Sequence, residues 1–130
     1  MEEHLNQAKH NEDFLKIVEN ANPDDYFDWK ITIVFYVAIH YIDAYFASHG
    51  IRITSHEHRF DCLEMGEFCV SMEFFNHYSN LYNLARNARY NGFTRKDAFE
   101  RNQKNRLSEA KFDMRFIKNY IIDDLDQITT

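Results

Sequence analysis

Glycine and proline are scarce in this sequence, which has three Gly and one Pro among 130 residues. A protein of many short strands needs such residues at its turns, so their scarcity argues against an all-β fold and favours long helices. Cysteine is also rare, and Cys62 and Cys69 form neither a paired-cysteine metal motif nor a disulfide framework. The first residues, MEEHLNQAKHNEDF, contain no apolar secretory segment, so we expect a cytoplasmic protein.

Apolar side chains are plentiful by contrast. They make up 45% of the residues, including 12 Phe and 8 Tyr, which is ample material for one dense core. The length is also typical of one domain. We therefore predict an all-α protein in which residues 1–130 form a single helical-bundle domain of four to five helices.

Apolar residues recur at helical spacing in five segments. The predicted helices cover about residues 4–20, 26–49, 55–65 or 66, and 71–90, with a last helix inside 95–128. Pro23 separates the first two, and Asp24 or Asp25 is expected to cap the second helix. Gly50 should stop the second helix, and Thr54 with Glu57 has the form of a capping box for the third.

The second predicted helix, within WKITIVFYVAIHYIDAYFASHG, is apolar nearly all round and should be the central helix of the bundle. We do not expect it to span a membrane, because Lys30, His40 and Asp43 interrupt the apolar run.

Three polar side chains of this helix, Tyr36, His40 and Asp43, share one stripe of its surface. One interpretation is a buried hydrogen-bond network in which Tyr36 and Asp43 orient His40. The other makes His40 a proton-transfer group whose tautomer Asp43 fixes. Both interpretations predict that the three side chains interact.

The segment LYNLARNARYNG places two arginines and two tyrosines on one helix face, at Tyr82, Arg86, Arg89 and Tyr90. Guanidinium groups bind phosphate oxygens with two parallel hydrogen bonds, so this face is a candidate phosphate clamp. The alternative is that both arginines pair with carboxylates of neighbouring helices, such as Asp43, Asp61 or Glu64.

The segment TSHEHR offers His56, His58 and Arg59 near a predicted helix N-terminus, where free N–H groups favour anions. Zinc is not expected there, because no further ligand has suitable spacing.

Charge is unevenly distributed along the chain. Residues 86–111 carry a net charge of +5 and the remaining residues carry −11, which together give the net charge of −6. A basic segment on an acidic body could hold a nucleic-acid strand at one place, or could be a solvated helix face.

Trp29 leading into FYVAIHYIDAYF, then TSHEHR, then LARNARY ahead of a final helix together resemble a HEPN domain over about residues 25–125. This resemblance implies a compact antiparallel bundle that is often a homodimer, needs no metal or other cofactor, and binds or cleaves RNA or binds nucleotides. Active members use an Arg and a His separated by four to six residues, usually opened by Arg-Asn. Here Arg86-Asn87 is that pair, Asn91 occupies the histidine position, and no histidine follows Arg86 in the sequence.

The residues and the resemblance together suggest a site. We expect His40, Arg86 and Arg89 to be catalytic, with His40 or His56 replacing in space the histidine that is missing from the motif. Phosphate contacts are assigned to His56, Arg59, Tyr90 and Asn91, and supporting roles to Tyr36, Asp43 and Asn87.

The leading functional expectation is a protein acting on RNA or nucleotides, as a metal-independent endoribonuclease of a prokaryotic antiviral defence or toxin system, with an antitoxin or other protein as partner. The alternative is a non-catalytic HEPN module that binds a nucleotide or a protein partner.

Overall fold

Five helices pack together in a computed structural model of the protein, which describes residues 1–91 and 103–129. They are α1 (Glu2–Ala21), α2 (Phe27–Ser48), α3 (His56–Met65), α4 (Met72–Asn91) and α5 (Gln103–Thr129). Within the described residues there is no strand, so the predicted all-α bundle is confirmed. The observed ends of the first four helices lie within two residues of the predicted ones.

Helix α2 forms the centre of the bundle, as predicted. Fourteen of its 22 residues are buried, and it packs against α1, α4 and α5. By length and composition alone α2 could cross a membrane, but 72% of its most apolar 18-residue window is buried inside the protein. Its apolar surface is thus used in packing against the other helices.

Side-chain pairs give the directions of the helices. Helix α5 runs antiparallel to α1, because Lys111 binds Glu19 at 2.7 Å and Lys118 binds Glu12 at 3.1 Å. The Tyr41 hydroxyl of α2 also donates to Glu12, at 2.7 Å, so this one carboxylate links three helices. Helix α5 is likewise antiparallel to α4, whose His77 and Asn80 bind Asp113 and Glu109, respectively.

The start of α2 differs from the prediction. The N-cap residue is Tyr26, in a left-handed conformation with φ of 57°, and no side chain caps the helix. The Asp25 carboxylate instead accepts from the adjacent Tyr26 N–H at 2.8 Å, so the expected cap by Asp24 or Asp25 is wrong. The buried ammonium group of Lys30 donates to the carbonyl oxygen of Asn22, which fixes the end of α1 against α2.

The end of α2 confirms the predicted stop at Gly50. This glycine has φ of 77°, and its N–H binds the Ala47 carbonyl at 3.0 Å. The Ile51 N–H binds the Phe46 carbonyl at 2.9 Å, which completes a Schellman motif. Only glycine adopts this backbone conformation without steric cost.

Helix α3 starts where expected, but with different capping partners. The Ser55 hydroxyl accepts from the His58 N–H at 3.0 Å, and His58 Nδ1 accepts from the Thr54 N–H at 3.1 Å. Ser55 and His58 therefore take the reciprocal roles predicted for Thr54 and Glu57.

Candidate functional site

Helix α4 supplies most of the candidate site because it is buried on one side only. Its predicted apolar stripe is confirmed, since the following residues are all buried: Phe74, Tyr78, Leu81, Ala85 and Ala88. The arginines and tyrosines lie beside this stripe, partly buried or exposed. They face α2 and α3 across a cleft of about 540 Å³.

We call this cleft the phosphate cleft, for the chemistry of its lining. The described residues that line it are Tyr36 of α2, His56 of α3, and Tyr82, Arg86, Arg89 and Tyr90 of α4. No carboxylate is among these lining residues, while two of them are arginines. Such a concave, cationic site favours anions.

Arg89 is a cation of the site with a buried donor that lacks an acceptor among the described residues. Its guanidinium group lies 5.3 Å from the ring centre of Phe35 and 5.8 Å from that of Tyr90. Its Nη1 atom is buried and has no hydrogen-bond partner in the described part of the chain. A buried charged donor without an acceptor is costly, so an anion that supplies one would be favoured here.

His56 stands at the start of α3 with its Nδ1 atom 3.0 Å from Nη1 of Arg59. A guanidinium group can only donate, so Nδ1 accepts, and the neutral ring carries its proton on Nε2. Burial lowers the pKa of His56 below its usual 6.5, and the charges of Arg59 and Arg89 lower it further, against the opposing charge of Asp43. His56 is therefore a neutral hydrogen-bond donor near pH 7.

Arg59 does not lie where a phosphate contact was expected. Its guanidinium group is buried and binds both carboxylate oxygens of Asp43, Nε to Oδ1 at 2.9 Å and Nη2 to Oδ2 at 3.0 Å. The prediction that Arg59 binds phosphate is thus corrected: it holds α3 against α2 and fixes the tautomer of His56.

The expected hydrogen-bond network of Tyr36, His40 and Asp43 is also corrected, although the charge of Asp43 acts on His40 and opposes the lowering of its pKa. His40 Nδ1 lies 3.1 Å from His4 Nδ1 with the two rings stacked, so His40 faces α1, while Asp43 binds Arg59. Residues four apart on one stripe are separated by about 6 Å along the helix axis, so each meets a different neighbour. Burial lowers the pKa of His40, and the charge of His4 lowers it further. His40 does not line the phosphate cleft, whereas His56 does.

Two smaller clefts adjoin the phosphate cleft. One, of about 460 Å³, is lined by Asn83, Arg86, Asn87 and Tyr90, so Asn87 and Arg86 share a cleft. The other, of about 330 Å³, shares Tyr36 and Arg89 with the phosphate cleft, and its remaining lining is Asp28, Trp29, Thr32 and Ala88. Tyr90 is 71% exposed, and the side chain of Asn91 lies outside the part of the chain that the structure describes.

Sequence reasoning left Asp28, Trp29 and Thr32 out of the site. Their signal was present in the spacing, because Asp28, Thr32 and Tyr36 are four residues apart and so share one face of α2. The sequence alone does not separate this stripe from the core, because the residues around it on α2 are apolar.

The predicted pairing of the α4 arginines with carboxylates is not observed between described residues. Asp43 binds Arg59, and no ion pair there involves Arg86 or Arg89. Of the basic segment, Lys104 lies 3.6 Å from Asp24, and Lys111 binds Glu19. Three further members of this segment, Arg95, Lys96 and Arg101, lie outside the described residues.

Within residues 1–91 and 103–129, no three His, Cys, Asp or Glu side chains are grouped as a metal ion would require. No protein-family model, curated protein or solved structure matches this chain. The chemistry of the clefts is therefore the basis for assigning a function.

Proposed function

We propose that this HEPN-like protein binds RNA or nucleotides, with a phosphate group held in the phosphate cleft. The observation that carries the proposal is the buried Nη1 atom of Arg89, which lacks a hydrogen-bond partner within the described chain. Arg86 and His56 line the same cleft, so a phosphate there would meet two guanidinium groups and a neutral imidazole donor. The rings of Tyr82 and Tyr90 add surfaces on which unpaired bases can stack.

Two features support binding without cleavage. Asn91 occupies the position of the HEPN histidine, and an amide cannot exchange a proton at neutral pH as imidazole does. The acceptor nitrogen of His56 already receives a hydrogen bond from Arg59, so His56 cannot take a proton from a ribose hydroxyl unless that bond breaks. These features favour the non-catalytic module over the endoribonuclease.

The binding proposal is tested with a fluorescently labelled single-stranded RNA, followed by anisotropy at fixed salt concentration. Arg86→Gln and Arg89→Gln should each weaken binding about 10-fold or more, because each removes a charge-assisted hydrogen bond. Arg115→Gln is the matched control, since Arg115 is exposed on α5 and the charge change is the same. Equal weakening by all three variants, or no binding by the wild type, would contradict a defined phosphate site.

The absence of cleavage is tested on the same RNA with and without EDTA. We expect the RNA to stay intact. EDTA-resistant cleavage that leaves 2′,3′-cyclic phosphate ends, and that disappears in both Arg86→Ala and His56→Asn, would establish the endoribonuclease instead.

A further inference from the structure

We infer that the cleft of about 330 Å³ beside the phosphate cleft binds an unpaired guanine base, whose own phosphate lies on Arg86 and Arg89. This inference rests on the proposed phosphate site, and we call the smaller cleft the base cleft. The two clefts are continuous, because Tyr36 and Arg89 line both of them. One nucleotide can therefore occupy both clefts at once, with its phosphate in one and its base in the other.

The aromatic lining of the base cleft suits a flat ligand. Trp29 is 62% exposed and Tyr36 is 42% exposed, although both belong to the most buried helix of the protein. An uncovered indole face beside a cationic cleft is the arrangement by which proteins stack unpaired bases. Trp29 is the one tryptophan of the sequence, and its indole ring offers a larger stacking surface than the other aromatic side chains do.

Asp28 gives the base cleft its preference. Its side chain is partly buried, and no cation or hydrogen-bond donor within the described residues pairs with its carboxylate. The neighbouring Thr32 hydroxyl donates its proton to the Asp28 main-chain carbonyl at 2.9 Å, so the hydroxyl oxygen remains an acceptor. Asp28 and Thr32 thus supply acceptors to the cleft, and the base that these two residues favour is one that presents donors.

Guanine is the base that meets this requirement. Its Watson–Crick edge carries two adjacent N–H donors, which the two oxygens of a carboxylate can accept together. Adenine, cytosine and uracil each place an acceptor atom beside their donor on that edge, and the carboxylate would repel it. Since that edge is occupied in a duplex, the ligand must be a single-stranded or free nucleotide.

The test uses the intrinsic fluorescence of Trp29 and four ribonucleoside 5′-monophosphates, with ribose 5-phosphate and inorganic phosphate as probes of the phosphate cleft alone. We expect the guanine nucleotide to quench Trp29 and to bind about 10-fold more tightly than the other three nucleotides and ribose 5-phosphate. Asp28→Asn should abolish this preference without reducing the affinity for inorganic phosphate. Asp13→Asn, at an exposed carboxylate of α1, is the matched control and should change neither.

The outcomes separate the two proposals. If all four nucleotides bind no better than ribose 5-phosphate, or if another base is preferred, the guanine assignment is overturned while the phosphate site stands. If neither phosphate, nucleotides nor RNA bind, both proposals are overturned. A guanine preference that persists in Asp28→Asn would also overturn the assignment. Circular dichroism would show that this variant is folded.

Discussion

Removal of the Asp43 carboxylate is the sharpest test of how the site is held together. Asp43 and Arg59 are 8% and 6% exposed, and two hydrogen bonds of 2.9 and 3.0 Å join them. In Asp43→Ala the guanidinium group of Arg59 stays buried without its counter-charge. Breaking such a pair from one side typically costs about 3–5 kcal/mol.

That cost is large for a chain of this size, because domains are usually stable by only about 5–15 kcal/mol. We expect Asp43→Ala to lower the free energy of unfolding by about 3–5 kcal/mol, measured by urea unfolding and far-ultraviolet circular dichroism. The exposed carboxylate of Asp61, on α3, is the matched control. Asp61→Ala should change stability by less than about 0.5 kcal/mol.

The double variant Asp43→Leu, Arg59→Met separates the burial of charge from the loss of packing. Apolar replacement of both members of a buried ion pair is often neutral or stabilising, so most of the lost stability should return. A loss below about 1 kcal/mol in Asp43→Ala would refute the reasoning, because it would mean that Arg59 reaches water or another acceptor. A double variant as unstable as the single one would show that packing, rather than charge, sets the cost.

Two further predictions concern the C-terminal end of α2 and its contact with α1. Gly50→Ala should destabilise the protein by about 1 kcal/mol in the same unfolding assay. The cause would be backbone strain alone, because nothing lies within 4 Å of the added Cβ. An unchanged free energy of unfolding would contradict this. Folding lowers the pKa of His40 from its usual 6.5, so the unfolded protein takes up a proton at this residue more readily than the folded protein does. The contribution of neutral His40 to the free energy of unfolding is therefore complete above pH 6.5 and is lost as the pH falls below that value. Stability should therefore drop as the pH falls below 6.5, and less steeply in His40→Gln than in the wild type. Equal slopes in the two proteins would exclude His40 as the cause.

The helices could be predicted because their signals are local. Periodic apolar residues in α4, the glycine at position 50 and the polar start of α3 each act within a few residues along the chain. The capping partners were less predictable, because Ser55 and Thr54 are adjacent and chemically equivalent as caps. The sequence alone does not decide which of two neighbouring hydroxyls faces the helix axis.

The candidate site was predicted in part. The arginines and Tyr90 were expected together because they share one helix face, and they do line one cleft. The choice between His40 and His56 depended on how α1 and α3 pack against α2, which no local pattern encodes. Likewise, several basic residues could pair with the carboxylate of Asp43, and the packing of α3 against α2 places Arg59 beside it.

The central position of α2 affects how the chain folds while it is being synthesised. Helix α5 contacts α2 from far along the sequence: His49, at the end of α2, lies 3.9 Å from Asp124, 75 residues further along. During synthesis α1 is already present when α2 appears, whereas α5 leaves the ribosome only after α3 and α4. The nascent chain therefore exposes one apolar side of α2 until α5 has been synthesised, and a product truncated before α5 would be prone to aggregate.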